Sequence, residues 1–194
     1  MNYLKIFSLL FAATALFSFA YISPSSLMSD GSQIVWKGKK VLGSHEGTIN
    51  LKEGNLQYSE GILKGGSFTI DMTSIACTDL DGAYGDKLVG HLKSDDFFGV
   101  ATFPTAVFNI TSVGATDGKN EYAVTGDLTI KGITKKITFP TTVTKEGGHM
   151  IAHANIKVDR TDFNVKYGSG KFFDNLGDNI ISDEFELDVT IVSH

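Results

Sequence analysis

Residues 66–73 read Gly-Ser-Phe-Thr-Ile-Asp-Met-Thr, and this stretch decides the fold. Phe68, Ile70 and Met72 fall on one side of an extended chain, Thr69 and Asp71 on the other. Alternation at period two marks a strand with one buried face and one wet face. Outward from this stretch the pattern recurs from Ile34 to Val192, punctuated by Gly, Asn and Asp. Ile34 and Trp36 form a further inward set, as do Val124, Leu128 and Ile130, then Ile137 and Phe139, then Phe185, Leu187, Val189 and Ile191. Such strands, joined by short turns, close most simply into an antiparallel barrel, whose interior holds side chains or one apolar ligand. The expected fold class is all-β.

Turns are expected at Gly38–Lys39, Lys52–Asn55, Asp117–Gly118, Lys131–Gly132 and Gly147–Gly148. Pro104 and Gly126 are the places where a bulge would shift the register. The period breaks after the Asp- and Gly-rich loop 78–85. From Asp86 to Phe98 the residues Leu88, Val89 and Leu92 stand near helical spacing, and Asp86 is a fitting N-cap, so a short helix is predicted. Residues 168–179 read as a loop containing at most a turn of helix.

Residues 1–20 stand apart. One positive charge, Lys5, precedes an uncharged apolar run, and Ser18 and Ala20 have the spacing of a signal-peptidase site. This predicts a secretory signal peptide cut after Ala20. An uncleaved membrane anchor is the competing expectation, although the run is a little short of the roughly 20 residues a span needs. Residues 21–31 are Ser-rich and are expected to be a flexible tether, with residues 32–194 forming one domain. The single Cys, Cys77, allows no internal disulfide, so stability must come from the core. A formal charge of −5 gives no electrostatic case for nucleic acid or for an anionic bilayer bound through charge alone. The 14 Phe need a home, and a barrel lumen offers one.

The catalytic inventory is thin: there is no phosphate loop, nucleophile elbow or two-His helix motif. His149 and His153 sit four apart on a strand pattern, about 13 Å from each other, too far to share a metal ion. Cys77 has no neighbouring base to lower its pKa and is a poor nucleophile. His45 and His91 fit either a barrel mouth, where one would donate to a polar head group, or structural roles in loops. Arg160, within Asp-Arg-Thr-Asp-Phe at 159–163, fits either an anion contact or an internal pair with Asp. No catalytic residue, metal or cofactor is expected.

Several blocks, in order, carry a family resemblance: GSHEG at 43–47, GGSFTIDMTSI at 65–75, HLKSDDFF at 91–98, FPTAVF at 103–108, YAVTGDLTIKGITKKITFP at 122–140 and VDRTDF at 158–163. The chain resembles the YceI-like family of exported lipid-binding proteins from about Ser32 to Ile191. That resemblance implies a single lipocalin-like antiparallel barrel of eight strands with a helix laid against it. It implies a long apolar channel holding a polyisoprenoid, such as a polyprenyl phosphate or an isoprenoid quinone. It also implies a periplasmic location, and since some members are dimeric it admits a homodimer. Two departures bear on the polar end of the channel. Leu88, Val89 and Gly90 stand where many members carry Arg-Asp-Glu, and Gly99 stands where Asp is common.

The expected function is sequestration or carriage of an isoprenoid lipid. The expected lining is Phe68, Ile70, Phe97, Phe98, Phe108, Leu128, Phe139, Phe163 and Phe185, with His45, His91 and Arg160 at the head group or mouth. Two rivals carry their own signatures. A filled structural or stress-response barrel would leave no cavity of about 300 Å³ or more. An enzyme acting on the lipid would place His45 or His91, buried, beside Asp71 or Asp95.

Overall fold

The computed structural model describes residues 23–27 and 31–194, so the predicted leader lies outside the described residues. Nine strands form one antiparallel sheet: β1 (Ser23–Ser26), β2 (Gln33–Lys40), β3 (Gly43–Ser59), β4 (Ile62–Cys77), β5 (Thr105–Ala115), β6 (Glu121–Ile130), β7 (Ile133–Glu146), β8 (His149–Asp159) and β9 (Ile181–Ser193). The order runs β1-β3-β2-β9-β8-β7-β6-β5-β4, and β3 pairs again with β4. Eight strands therefore close into a barrel, which leaves no open edge in the ring. The barrel is all-β and lipocalin-like, with one α-helix among the described residues, α1 (Gly82–Lys93).

The register places the inward residues in levels down the lumen. Val158, Phe185, Gly38 and His45 are cross-strand partners at one end. Ile156, Leu187, Trp36 and Gly47 form the next level. Below them lie Thr141, Ala154, Val189, Ile34 and Ile49, then Val143, Ala152 and Ile191. Trp36 fits because Gly47 is opposite it: a Cβ at 47 would meet the indole and the Ala76 carbonyl, which instead accepts from Trp36 Nε1 at 3.1 Å.

Four expectations need correction. The turn expected at Gly38–Lys39 lies inside β2, whose ladder with β3 continues to Lys40 opposite Gly43, so the hairpin turns at Val41–Leu42. The turn predicted at Lys52–Asn55 does not exist; β3 runs straight through it, with register shifts between Thr48 and Asn50 and between Leu51 and Glu53. Gly54 serves a close approach there, since a Cβ would meet Leu27 and Phe68 at 2.7 and 2.9 Å. Ser23–Ser26, within the expected tether, are a strand paired with Asn55–Tyr58, and Leu27 bridges to Ser193. These residues take the slot beside β3 beyond the end of β2. The helix starts at Gly82 rather than Asp86 and ends at Lys93 rather than Phe98. Asp79 turns the chain early by accepting from Glu46 N and Cys77 Sγ, both at 3.1 Å. Ser94 stops the helix by bonding back to the His91 carbonyl, and wide turns follow in which Phe98 N reaches the Leu92 carbonyl.

Candidate functional site

The barrel encloses a cavity of about 580 Å³. Its wall comes from every barrel strand and from α1. Large apolar side chains would fill so small a barrel; here Ala106, Ala152 and Ala154 hold the wall back and keep it open. One end is sealed by Leu56, Leu63 and Val124, each 2% exposed. Just beyond, Tyr58 Oη and Ser193 Oγ lie 3.4 Å apart, and burial pushes the Tyr58 phenol up from its ordinary pKa. The other end is a polar mouth bounded by Lys39, Lys40, His45, Lys87, Asn179 and Glu184.

Eleven of the twelve residues expected at the channel wall it: Phe68, Ile70, Phe97, Phe98, Phe108, Leu128, Phe139, Phe185, His45, His91 and Arg160. Phe163 does not. It is buried in the core within a 3-10 turn, Arg160–Phe163, that ends on Asn164 in the left-handed region. The strand alternation that would have aimed Phe163 inward stops at Asp159, where the chain begins to coil. Phe68, Phe108 and Leu128 are successive cross-strand partners, so they form one apolar band. Gly126 makes room for it: a Cβ there would strike the Phe108 ring, and the ladder shifts register between Ile110 and Ser112 opposite this glycine.

The mouth is built on two separate polar arrangements. His45 Nδ1 lies 2.9 Å from Asp79 Oδ2, with the imidazole 37% exposed. Burial would raise the Asp79 pKa, but hydrogen bonds from Cys77, His45 and the Glu46 amide outweigh it and hold the carboxyl below its ordinary value. The same contact works the other way on Cys77: burial first, then Asp79, push its thiol up, away from thiolate. Among the described residues neither Asp71 nor Asp95 pairs with a histidine; the partner of His45 is Asp79.

His91 stands edge-on between the rings of Phe97 and Tyr167, at 5.0 and 4.5 Å between centroids. Phe97 continues this cluster to Phe98, and Phe98 to Phe185. Arg160 is 3% exposed, and its guanidinium lies 5.6 Å over Phe97. Its donors go to the carbonyls of Ser182, Val165 and Ile181 at 2.8–3.0 Å, with Asp183 at 3.6 Å. Arg160 therefore latches the chain around Val165 to the start of β9, and it walls the cavity as a structural member.

Sequence reasoning missed Tyr167, Lys87, Leu88 and Thr141 on the wall. Leu88 and Leu92 both wall the cavity from α1; the near-helical spacing pointed to the helix but not to the face it turns to the lumen. Tyr167 lies in a loop with no periodicity to reveal it. Thr141 alternates correctly with Phe139 but is polar. Its hydroxyl is buried with no partner among the described residues, deep in the apolar wall.

The profile of the YceI-like domain matches residues 26–193. The chain belongs to the YceI-like family. Protein YceI of Escherichia coli O157:H7 is 39% identical over 108 residues, 53% of this chain, and the chain spans about half (52%) of that relative's length. BcnA of Burkholderia cenocepacia superposes with a TM-score of 0.69 at 26% identity, over 84% of this chain and 96% of that one. A polyisoprenoid binding domain from Saccharophagus degradans, implicated in plant cell wall breakdown, superposes with a TM-score of 0.62 at 16% identity, over 90% and 99%. This YceI-like chain keeps the blocks around Phe68, Phe97 and Phe139 on its cavity wall. On α1 Leu88 faces the cavity, and Gly99 has a φ of +56° that favours glycine.

Proposed function

We propose that this protein is an exported, periplasmic carrier that sequesters one long-chain isoprenoid, a polyprenyl phosphate or an isoprenoid quinone, in its barrel lumen. The observation that carries this is the cavity: about 580 Å³, apolar from the sealed end upward except for Thr141, with its charged side chains gathered toward the mouth. That volume lies within the range of ligand pockets and above the roughly 300 Å³ below which a filled structural barrel would be favoured. Water gains little from such a wall, whereas each methylene moved into it is worth about 0.8 kcal/mol. The tail enters toward Leu56 and Leu63, and the head group stays at the mouth with Lys40, Lys87 and His45. The role is holding, without chemistry on the lipid. Membership of the YceI-like family and the barrel fold shared with a polyisoprenoid binding domain support the ligand class.

The test is native mass spectrometry of the protein purified from its own host, followed by organic extraction. The expected result is a co-purifying isoprenoid mass that extraction removes and added quinone or polyprenyl phosphate restores. A clean unliganded mass that neither compound shifts would overturn the carrier.

A further inference from the structure

The large apolar residues that the barrel leaves in water are not scattered. Among the described residues eight are strongly exposed, and seven of them surround the cavity mouth; the eighth, Ile62, lies in the β3–β4 turn at the sealed end. Val41 and Leu42 form the tip of the β2–β3 hairpin, with Leu42 76% exposed. That tip is fixed to the mouth, because Lys40 walls the cavity and Val41 N donates to the Ile180 carbonyl at 3.3 Å. Phe172 and Phe173 project from the loop between Tyr167 and Ile181, and both ends of that loop wall the cavity. Tyr84, 79% exposed, stands one turn before Lys87 and Leu88 on the cavity-facing stripe of α1. Three chain segments thus raise apolar tips around one opening.

Four aromatic residues in this ring alone expose roughly 440 Å², taking each ring as about 200 Å². That equals the largest apolar patch of a typical monomer before Val41, Leu42 and Ile180 are added. We infer that the ring docks on a lipid bilayer, so that the mouth opens into the acyl layer and its ligand passes between membrane and lumen without crossing water. This rests on the carrier reading for its purpose, although docking itself needs no ligand.

Two features favour a bilayer over a protein. A protein partner laid across the ring would meet an open lumen at the centre of its interface, where packing and binding energy concentrate. A bilayer needs only protruding apolar tips set among cations and aromatic edges. The cations are present: Lys40 and Lys87 bound the mouth without an ion pair among the described residues, and Lys166 Nζ sits 4.7 Å over the Phe172 ring. Glu184 shares the mouth with them, so cations outnumber carboxylates among the residues that bound it although the chain's overall charge is −5.

The experiment uses the full chain with Cys77→Ser and a single labelling cysteine, either Leu42→Cys at the mouth or Ile62→Cys at the sealed end. Each carries an environment-sensitive fluorophore and is mixed with vesicles of phosphatidylethanolamine and phosphatidylglycerol that contain no isoprenoid. The expected result is a blue shift from position 42 and none from position 62. Phe172→Asp with Phe173→Asp should weaken vesicle partitioning about tenfold or more. No shift at position 42 overturns the inference, as does an equal shift at both positions, which a membrane-bound leader would give. A shift at position 42 that grows with protein concentration in the absence of vesicles overturns it in favour of a second copy of the chain. Extraction and mass spectrometry of the same protein separate the two ideas. Loaded protein that does not dock defeats only the docking, and docking by a protein that never takes up isoprenoid defeats only the carrier.

Discussion

Replacing Ala154 with Phe should move stability and ligand affinity in opposite directions. Ala154 is buried on the cavity wall, level with Thr141, Val189, Ile34 and Ile49. The substitution puts an aromatic ring into the lumen. A benzene-sized ring occupies about 150 Å³, roughly a quarter of the 580 Å³ available. Because the ring fills a void, the unliganded barrel should gain the usual value of a buried Phe, about 1.5–3 kcal/mol. For a domain of this size that raises Tm by about 3–12 °C. The same ring takes the place of about one five-carbon unit of the tail, worth about 4 kcal/mol at 0.8 kcal/mol per carbon, so affinity should fall roughly a thousandfold. Thermal melts of delipidated protein give the first quantity. A quinone titration followed by the fluorescence of Trp36, the only Trp and itself on the cavity wall, gives the second. A lower Tm with binding intact would refute the reasoning, because it would mean that Ala154 packs against protein and that the tail runs elsewhere.

Arg160→Met should cost about 3–5 kcal/mol in urea unfolding, since it strands the carbonyls of Val165, Ile181 and Ser182 and leaves Asp183 with Lys171, at 3.3 Å, as its remaining cationic partner. Thr141→Val removes a buried hydroxyl that has no partner and should raise stability by about 1 kcal/mol, measured the same way. Gly126→Ala should drive the Phe108 ring from its seat, costing about 1–3 kcal/mol and reducing quinone uptake. Asp159 is held below its ordinary value: burial opposes this, but hydrogen bonds from Lys171 and Thr161 prevail. A depressed folded pKa stabilises above the unfolded value near 3.9 and is lost as pH falls through the folded one. The urea midpoint should therefore hold from about pH 7 to 5 and drop below about pH 4, with Asp159→Asn and Asp79→Asn flattening the acid limb.

The barrel was legible because alternation and closure are the same physical fact: one face dry, one face wet, and no edge left over. Every inward set read from period two, from Ile34 and Trp36 to Ile191, stands on the cavity wall. What escaped were places where one residue type serves two ends. Gly54 looks like a turn because turns need glycine, but here it yields space to Leu27 and Phe68 inside a long strand. Phe163 looks inward because the strand before it alternates, yet the 3-10 turn rotates it away. Tyr167 and His91 meet edge-to-face although they lie far apart in the chain, one in a loop closed by the Ile181 N to Gly168 carbonyl bond and the other on α1. Local pattern records which face a residue takes within its own element. It does not record a contact that a loop makes across the mouth.

An open lumen is an expensive way to build a barrel of this size. At about 24 cal/mol per Å³, leaving 580 Å³ unfilled forgoes on the order of 14 kcal/mol relative to a packed core. That is as large as the whole stability of an ordinary domain. There is no disulfide to offset it, because Cys77 is the only Cys. The closed hydrogen-bonded ladder must then carry the unliganded fold, with the latch at Arg160 securing the mouth. A ligand that fills the void recovers part of the deficit, and binding to the folded state alone raises stability by the logarithm of its saturation. A lipid present at a thousand times its Kd should add about 4.1 kcal/mol, so delipidation should lower Tm steeply, and adding back a chain too short to reach Leu56 should restore only a fraction. Equal restoration by short and long chains would mean that the sealed end of the lumen stays empty and that the tail lies near the mouth.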